Sequence, residues 1–170
     1  MNWGLSLAFS SFVSSCILWV NGPWINTDPM FLFSSIERYS PIHVPIIAIL
    51  MYLFNDPYVD GLDYKIHHSV NALGITWCYW RNRYHGFLQN TITYEFSTPW
   101  LALYMITKNK WLILPILATY TYYRMYNTLI MCSYIPYVDP VIASVYLTNL
   151  GLNTYWYTKI LRKCYVKLLQ

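Results

Sequence analysis

The chain has 170 residues, 56% of them hydrophobic and only 11% charged, with a net charge of +4. So little charge does not cover the surface of a water-soluble domain of this size, whereas a bilayer removes the need for it. The basic residues form no aromatic-interleaved groove, which argues against a nucleic-acid partner.

The first apolar segment, 3–20, has no basic residues before it and reads as a retained span rather than a cleaved signal. The next two, 42–54 and 66–80, are short for a hydrocarbon core of roughly 30 Å. They reach across only if their polar flanks extend them into a lined cavity. Segments 87–106, 111–135 and 138–160 are long enough, as is the first. Breaks fall at Pro41, Pro57, Asn82-Arg83, Lys108 to Lys110 and Pro136 to Pro140. Long apolar runs without alternation favour helices over a barrel, because backbone groups in lipid must bond internally. The expected fold is all-α, a polytopic transmembrane helical bundle of about six spans forming one domain over 1–170. The abundant Trp and Tyr suit the interfacial belts of such a bundle.

With an even number of crossings, both ends share a side with Lys65, Lys108, Lys110, Lys159, Arg162, Lys163 and Lys167. Arg38, Arg81 and Arg83 lie opposite. The basic excess puts both termini on the cytoplasmic side, or on the matrix side of a mitochondrial inner membrane. The basic tail sits well beside anionic headgroups.

Polar residues inside the apolar segments are expensive and mark function or pairing. A helix starting near Asp63 carries acid in its first turn, which suits the helix dipole. His67 and His68 then point about 100° apart, so they do not chelate in the i, i+4 manner of a metallopeptidase helix. Asn71, four residues after His67, is placed to orient it. Histidine suits acid–base or nucleophilic work, with Asp56 or Asp60 holding its tautomer. A structural hydrogen-bond cluster and metal ligation are the other readings of this pair; no ligand spacing demands a metal, and no cofactor is expected.

Glu95 sits near the middle of the fourth segment, where Pro99 leaves its carbonyl without a helical donor. Ser97 and Thr98 are placed to soften that defect. Arg124 is equally deep in the fifth segment, and a Glu95–Arg124 ion pair is the simplest expectation for both. Arg124 binding a phosphate or carboxylate headgroup is the alternative. Tyr123 and its neighbours Tyr120, Tyr122 and Tyr126 offer hydroxyls to the interior, or packing. Cys16, Cys78, Cys132 and Cys164 are too dispersed for a zinc or redox motif and are expected to be free thiols.

Several of these pieces, in order, resemble the TLC domain family, the membrane module shared by TRAM, ceramide synthase and CLN-type proteins. They are the serine-rich face of 3–19, Met51-Tyr52-Leu53-Phe54-Asn55-Asp56, Ile66-His67-His68, Tyr94-Glu95-Phe96-Ser97-Thr98-Pro99-Trp100-Leu101 and Tyr122-Tyr123-Arg124-Met125. The resemblance implies an all-helical membrane bundle acting in lipid metabolism, sensing or trafficking. In the synthases the paired histidines serve acyl transfer from acyl-CoA, which would make His67 and His68 the reacting pair and Asp56, Asp60 or Asp63 the orienting acid. Met51 stands in place of the family's glycine, and the aspartate-rich stretch after the synthase histidines is missing. The non-synthase branch is therefore the nearer one.

The expected function is that of a TLC-like integral membrane protein, in the endoplasmic reticulum or inner mitochondrial membrane, that binds or influences membrane lipid. Its intramembrane polar site would use Glu95, Arg124, Asn71 and Tyr123. Two alternatives stand beside it. One is an acyl-CoA-dependent lipid N-acyltransferase with His67, His68 and Asp56 catalytic. The other is a structural subunit whose partners are integral membrane proteins.

Overall fold

Proline and left-handed residues end the helices where the sequence marks its breaks. The computed structural model describes residues 3–55 and 61–168, and every regular element among these is helical. Helix α1 (Trp3–Asn21) is followed by a single turn, α2 (Pro29–Leu32), whose first N–H groups are capped by Asp28. Helices α3 (His43–Asn55) and α4 (Leu62–Arg81) come next. Helix α5 (His85–Ile92) passes through a 3₁₀ turn at Thr93–Ser97 into α6 (Thr98–Thr107). Helix α7 (Ile113–Thr119) passes through a π-helical stretch, Tyr120–Tyr126, into α8 (Asn127–Ser133), and α9 (Pro140–Leu168) is last.

Each of the six apolar segments falls on a helical run, though α4 begins four residues before the third and α9 continues eight residues past the sixth, and the fourth and fifth runs are composite. The junction residues of both composite runs keep right-handed helical dihedrals, so each continues as one rod. The irregularity in the fourth run has a local cause. Pro99 has no N–H to return to the Glu95 carbonyl, so the chain tightens to 3₁₀ before it. Ser14 on α1 donates to that carbonyl at 3.3 Å, and Ser97 Oγ donates to Tyr94 O at 3.0 Å. Among the described residues, no helix is long and apolar enough to cross a membrane.

The stops are equally local. Asn82 takes the left-handed conformation (φ 48°) after α4. There Arg83 N–H reaches Cys78 O and Asn82 N–H reaches Tyr79 O, a Schellman ending. Lys108 (φ 57°) ends α6 with one bond to Tyr104 O.

Helices α4 and α9 pack antiparallel. Trp77, near the end of α4, donates to Asp139 just before α9 at 3.0 Å. Trp156, far along α9, donates to Asp63 in the first turn of α4 at 2.8 Å. Gly74 sets the approach between them, since a Cβ there would lie 3.0 Å from Val145 Cγ1. Ser6, Ser10 and Ser14 form the buried small face of α1, which packs along α6 and the turn before it.

The main core gathers Val13, Ile17, Ile46, Ile75, Phe87 and Met131, among others. A second apolar cluster, Tyr104, Ile113 and Ile116 with Leu101 and Ile160, lies where α6, α7 and α9 meet. Polar groups are also inside: Asn90, Thr93, Asn127, Thr128, Asn149 and Asn153 are fully buried. Large apolar side chains face outward instead, among them Leu73, Leu129 and Leu147, each 54% exposed. Trp19 (78%) and Trp80 (72%) are exposed at the ends of α1 and α4.

Candidate functional site

Between α4, the 3₁₀ turn, the π-helical stretch and α9 lies a cavity of about 150 Å³. It brings together four polar residues singled out in the sequence: His67, His68, Glu95 and Arg124. Its apolar side is Leu101, Ile116 and Ile160, the edge of the second core cluster. Lys159 and Lys163, both exposed, line it from α9 at its outer side. The lining is therefore mixed, charged and polar groups alongside aliphatic ones.

His67 is held by a relay. Asn149 Nδ2 donates to Asn71 Oδ1 at 2.9 Å, and Asn71 Nδ2 lies 3.0 and 3.1 Å from the two ring nitrogens of His67. That amide sits against both nitrogens of the ring and fixes its orientation. The Trp156 ring meets His67 edge-on at 5.1 Å, and Trp156 is itself anchored on Asp63. His67 thus presents a fixed ring to the cavity. The adjacent ring of His68 lies 5.9 Å away, also on the cavity.

Arg124 is only 7% exposed. Its Nε donates to Ser97 Oγ at 2.8 Å and Tyr94 O at 3.3 Å, and its Nη2 reaches Thr98 Oγ1 at 3.4 Å. The guanidinium carbon lies 5.3 Å from the centre of the Tyr120 ring and 5.9 Å from that of Tyr94. The expected Glu95–Arg124 ion pair is therefore corrected. Among the described residues Arg124 forms no ion pair, because the 3₁₀ turn aims its own carbonyl and hydroxyl groups at the guanidinium instead. Glu95 faces the same cavity half-buried, and its carboxylate has no hydrogen bond to a described residue.

Tyr123 also differs from expectation. It packs against Phe96 at 4.7 Å and Tyr122 at 4.9 Å, away from the cavity. Being next to Arg124 on a helix, it points to another side, and Tyr120 takes the cavity position. Asn71 stands behind His67 rather than on the cavity wall. Asp56 and Asp60 lie outside the described residues, so the orienting role expected of them has no geometry here; Asp63 is engaged with Trp156. Among the described residues no group of three or more His, Cys, Asp or Glu is arranged to hold a metal. The four cysteines are free thiols.

The sequence reading missed the polar scaffold. Tyr94 OH and Thr128 Oγ1 are 2.6 Å apart, and Asn153 Nδ2 donates to the same Thr128 at 3.1 Å. Asn127 Nδ2 donates to Asn90 O at 2.7 Å and Thr93 Oγ1 at 3.1 Å. One signal was present: Asn149, Asn153, Trp156 and Ile160 recur at helical spacing, marking the face of α9 that turns inward. No family model matches the chain, and no curated protein or solved structure matches it.

Proposed function

We propose that this chain is an integral membrane protein of TLC-like type that binds or influences membrane lipid through the cavity between α4 and α9. The observation that carries the reading is the mixed lining of the cavity, where His67, His68, Glu95 and Arg124 stand alongside Leu101, Ile116 and Ile160. Such a lining suits an amphiphile whose head meets the polar groups. At about 150 Å³ the space holds a head group and the start of a chain, not a whole diacyl lipid. The remaining chain would lie along the bundle.

Membrane residence is supported by the large apolar side chains that face outward and the polar groups held inside. Asparagines and an arginine are buried while Leu73, Leu129 and Leu147 face out. The composite runs His85–Thr107 and Ile113–Ser133 are each roughly 30 Å long at about 1.5 Å per residue. On this reading α4 begins and α9 ends on the basic side, so the cavity opens toward the cytoplasm or matrix. The endoplasmic reticulum and the inner mitochondrial membrane are the proposed locations.

The test is photo-crosslinking with a phospholipid carrying a diazirine near its head group, followed by peptide mapping. Label at His67, Leu101 or Trp156, reduced several-fold by Leu101→Trp, supports the reading. Label spread over Leu129 and Leu147 and unaffected by Leu101→Trp overturns it.

An acyl-CoA-dependent N-acyltransferase is the second reading, favoured by both histidines lining the cavity. On this second reading one histidine of the pair serves as base and the other stabilises developing charge.

A further inference from the structure

The cavity carries an imbalance of charge. Among the described residues, Arg124, Lys159 and Lys163 line it against a single carboxylate, Glu95. Arg124 is the informative member. Its visible bonds go to a carbonyl and two hydroxyls, all neutral. A buried guanidinium without a counter-ion is unfavourable, and its planar fork matches a phosphate or carboxylate. It sits on a π-helical stretch, an irregularity that recurs at binding sites. Asp63, in the first turn of α4, is turned to Trp156 Nε1.

From this we infer that the ligand of the cavity is an amphiphile with an anionic head, a phosphate or carboxylate. The head is received by Arg124 at the inner end and by Lys159 and Lys163 at the outer side, and the chain leaves past Leu101, Ile116 and Ile160. This rests on the lipid-binding reading above and narrows it. A zwitterionic choline head carries the same phosphate but adds a cation, which Arg124 and the two lysines oppose and which only Glu95 and the aromatic rings of the lining favour. Lys159 and Lys163 steer and select, being exposed and screened, while Arg124 supplies the buried contact.

The experiment uses the full chain in maltoside micelles and three probes: dodecyl phosphate, dodecylphosphocholine and inorganic phosphate. Binding is followed by isothermal titration. Dodecyl phosphate is expected to bind at least about tenfold more tightly than dodecylphosphocholine, a difference of about 1.4 kcal/mol. Inorganic phosphate is expected to bind far more weakly than either chain-bearing probe. The exposed pair K159Q/K163Q should reduce the preference several-fold at low salt, and K159E/K163E should abolish it, with the helical circular dichroism unchanged. Equal binding of the two dodecyl probes, both displaced by Leu101→Trp, overturns the anionic assignment and leaves lipid binding standing. Binding of neither, or binding indifferent to Leu101→Trp, overturns both. Inorganic phosphate binding as tightly as dodecyl phosphate overturns the amphiphile and assigns a free anion.

Discussion

Ser97 does two things with one hydroxyl: it donates to Tyr94 O and accepts from Arg124 Nε. Removing it takes the best-placed acceptor from a buried cation. Ser97→Ala is expected to cost about 1.5–3 kcal/mol, the range for a hydrogen bond to a charged group. Thermal unfolding in micelles reads this directly, and Thr107→Ala, at an exposed helix end, should move the same midpoint far less. Asn71 is the second hinge of the site, since it joins Asn149 to His67. Asn71→Leu strands a buried amide and is expected to cost about 1–3 kcal/mol. It should also free the His67 ring, which proton NMR of the imidazole would register as new motion and a new tautomer balance. An unchanged imidazole signal in that variant contradicts the relay.

The helices were legible from punctuation. Asn82-Arg83 and Lys108 to Lys110 mark stops, and the backbone turns left-handed at Asn82 and Lys108. Lys108 has no side-chain reason to adopt that conformation, so Lys108→Gly should stabilise the protein by up to about 1 kcal/mol. Two glycines distinguish close packing from open helix. A Cβ on Gly86 would sit 2.7 Å from Leu32 Cα, a backbone atom that cannot step aside. Gly86→Ala is expected to cost about 1–3 kcal/mol through overpacking. Gly151 meets nothing within 4 Å inside α9, and Gly151→Ala should stabilise by about 0.5–1 kcal/mol. Equal melting midpoints for the two alanine variants would refute this packing of α2 against α5. The 3₁₀ turn was half legible, because Pro99 announces a missing donor that the Thr98 N–H replaces, but nothing local says that Ser14 of α1 adds a second. The π-helical stretch left no comparable mark, since it depends on how Arg124 and Tyr120 meet the turn and α9.

At the scale of the whole molecule, the sequence pointed to His67, His68, Glu95 and Arg124 because each is polar in an apolar setting. It paired Glu95 with Arg124 on charge alone, and geometry redirected Arg124 to neutral acceptors across a shared cavity. The asparagines of α8 and α9 escaped notice because an uncharged amide disturbs hydropathy less than an ion does. They nevertheless build the scaffold behind the site. Buried amides and an arginine stand within a largely apolar core while large apolar side chains face out, and the proposed function depends on a bilayer covering the outer faces. Spin labels at positions 73, 129 and 147 in protein reconstituted into phospholipid vesicles test this directly, through collision rates with dissolved oxygen and a water-soluble nickel chelate. The account predicts that oxygen dominates at all three sites and that the chelate is excluded. Free access of the chelate to the three positions, with the protein folded, would contradict it.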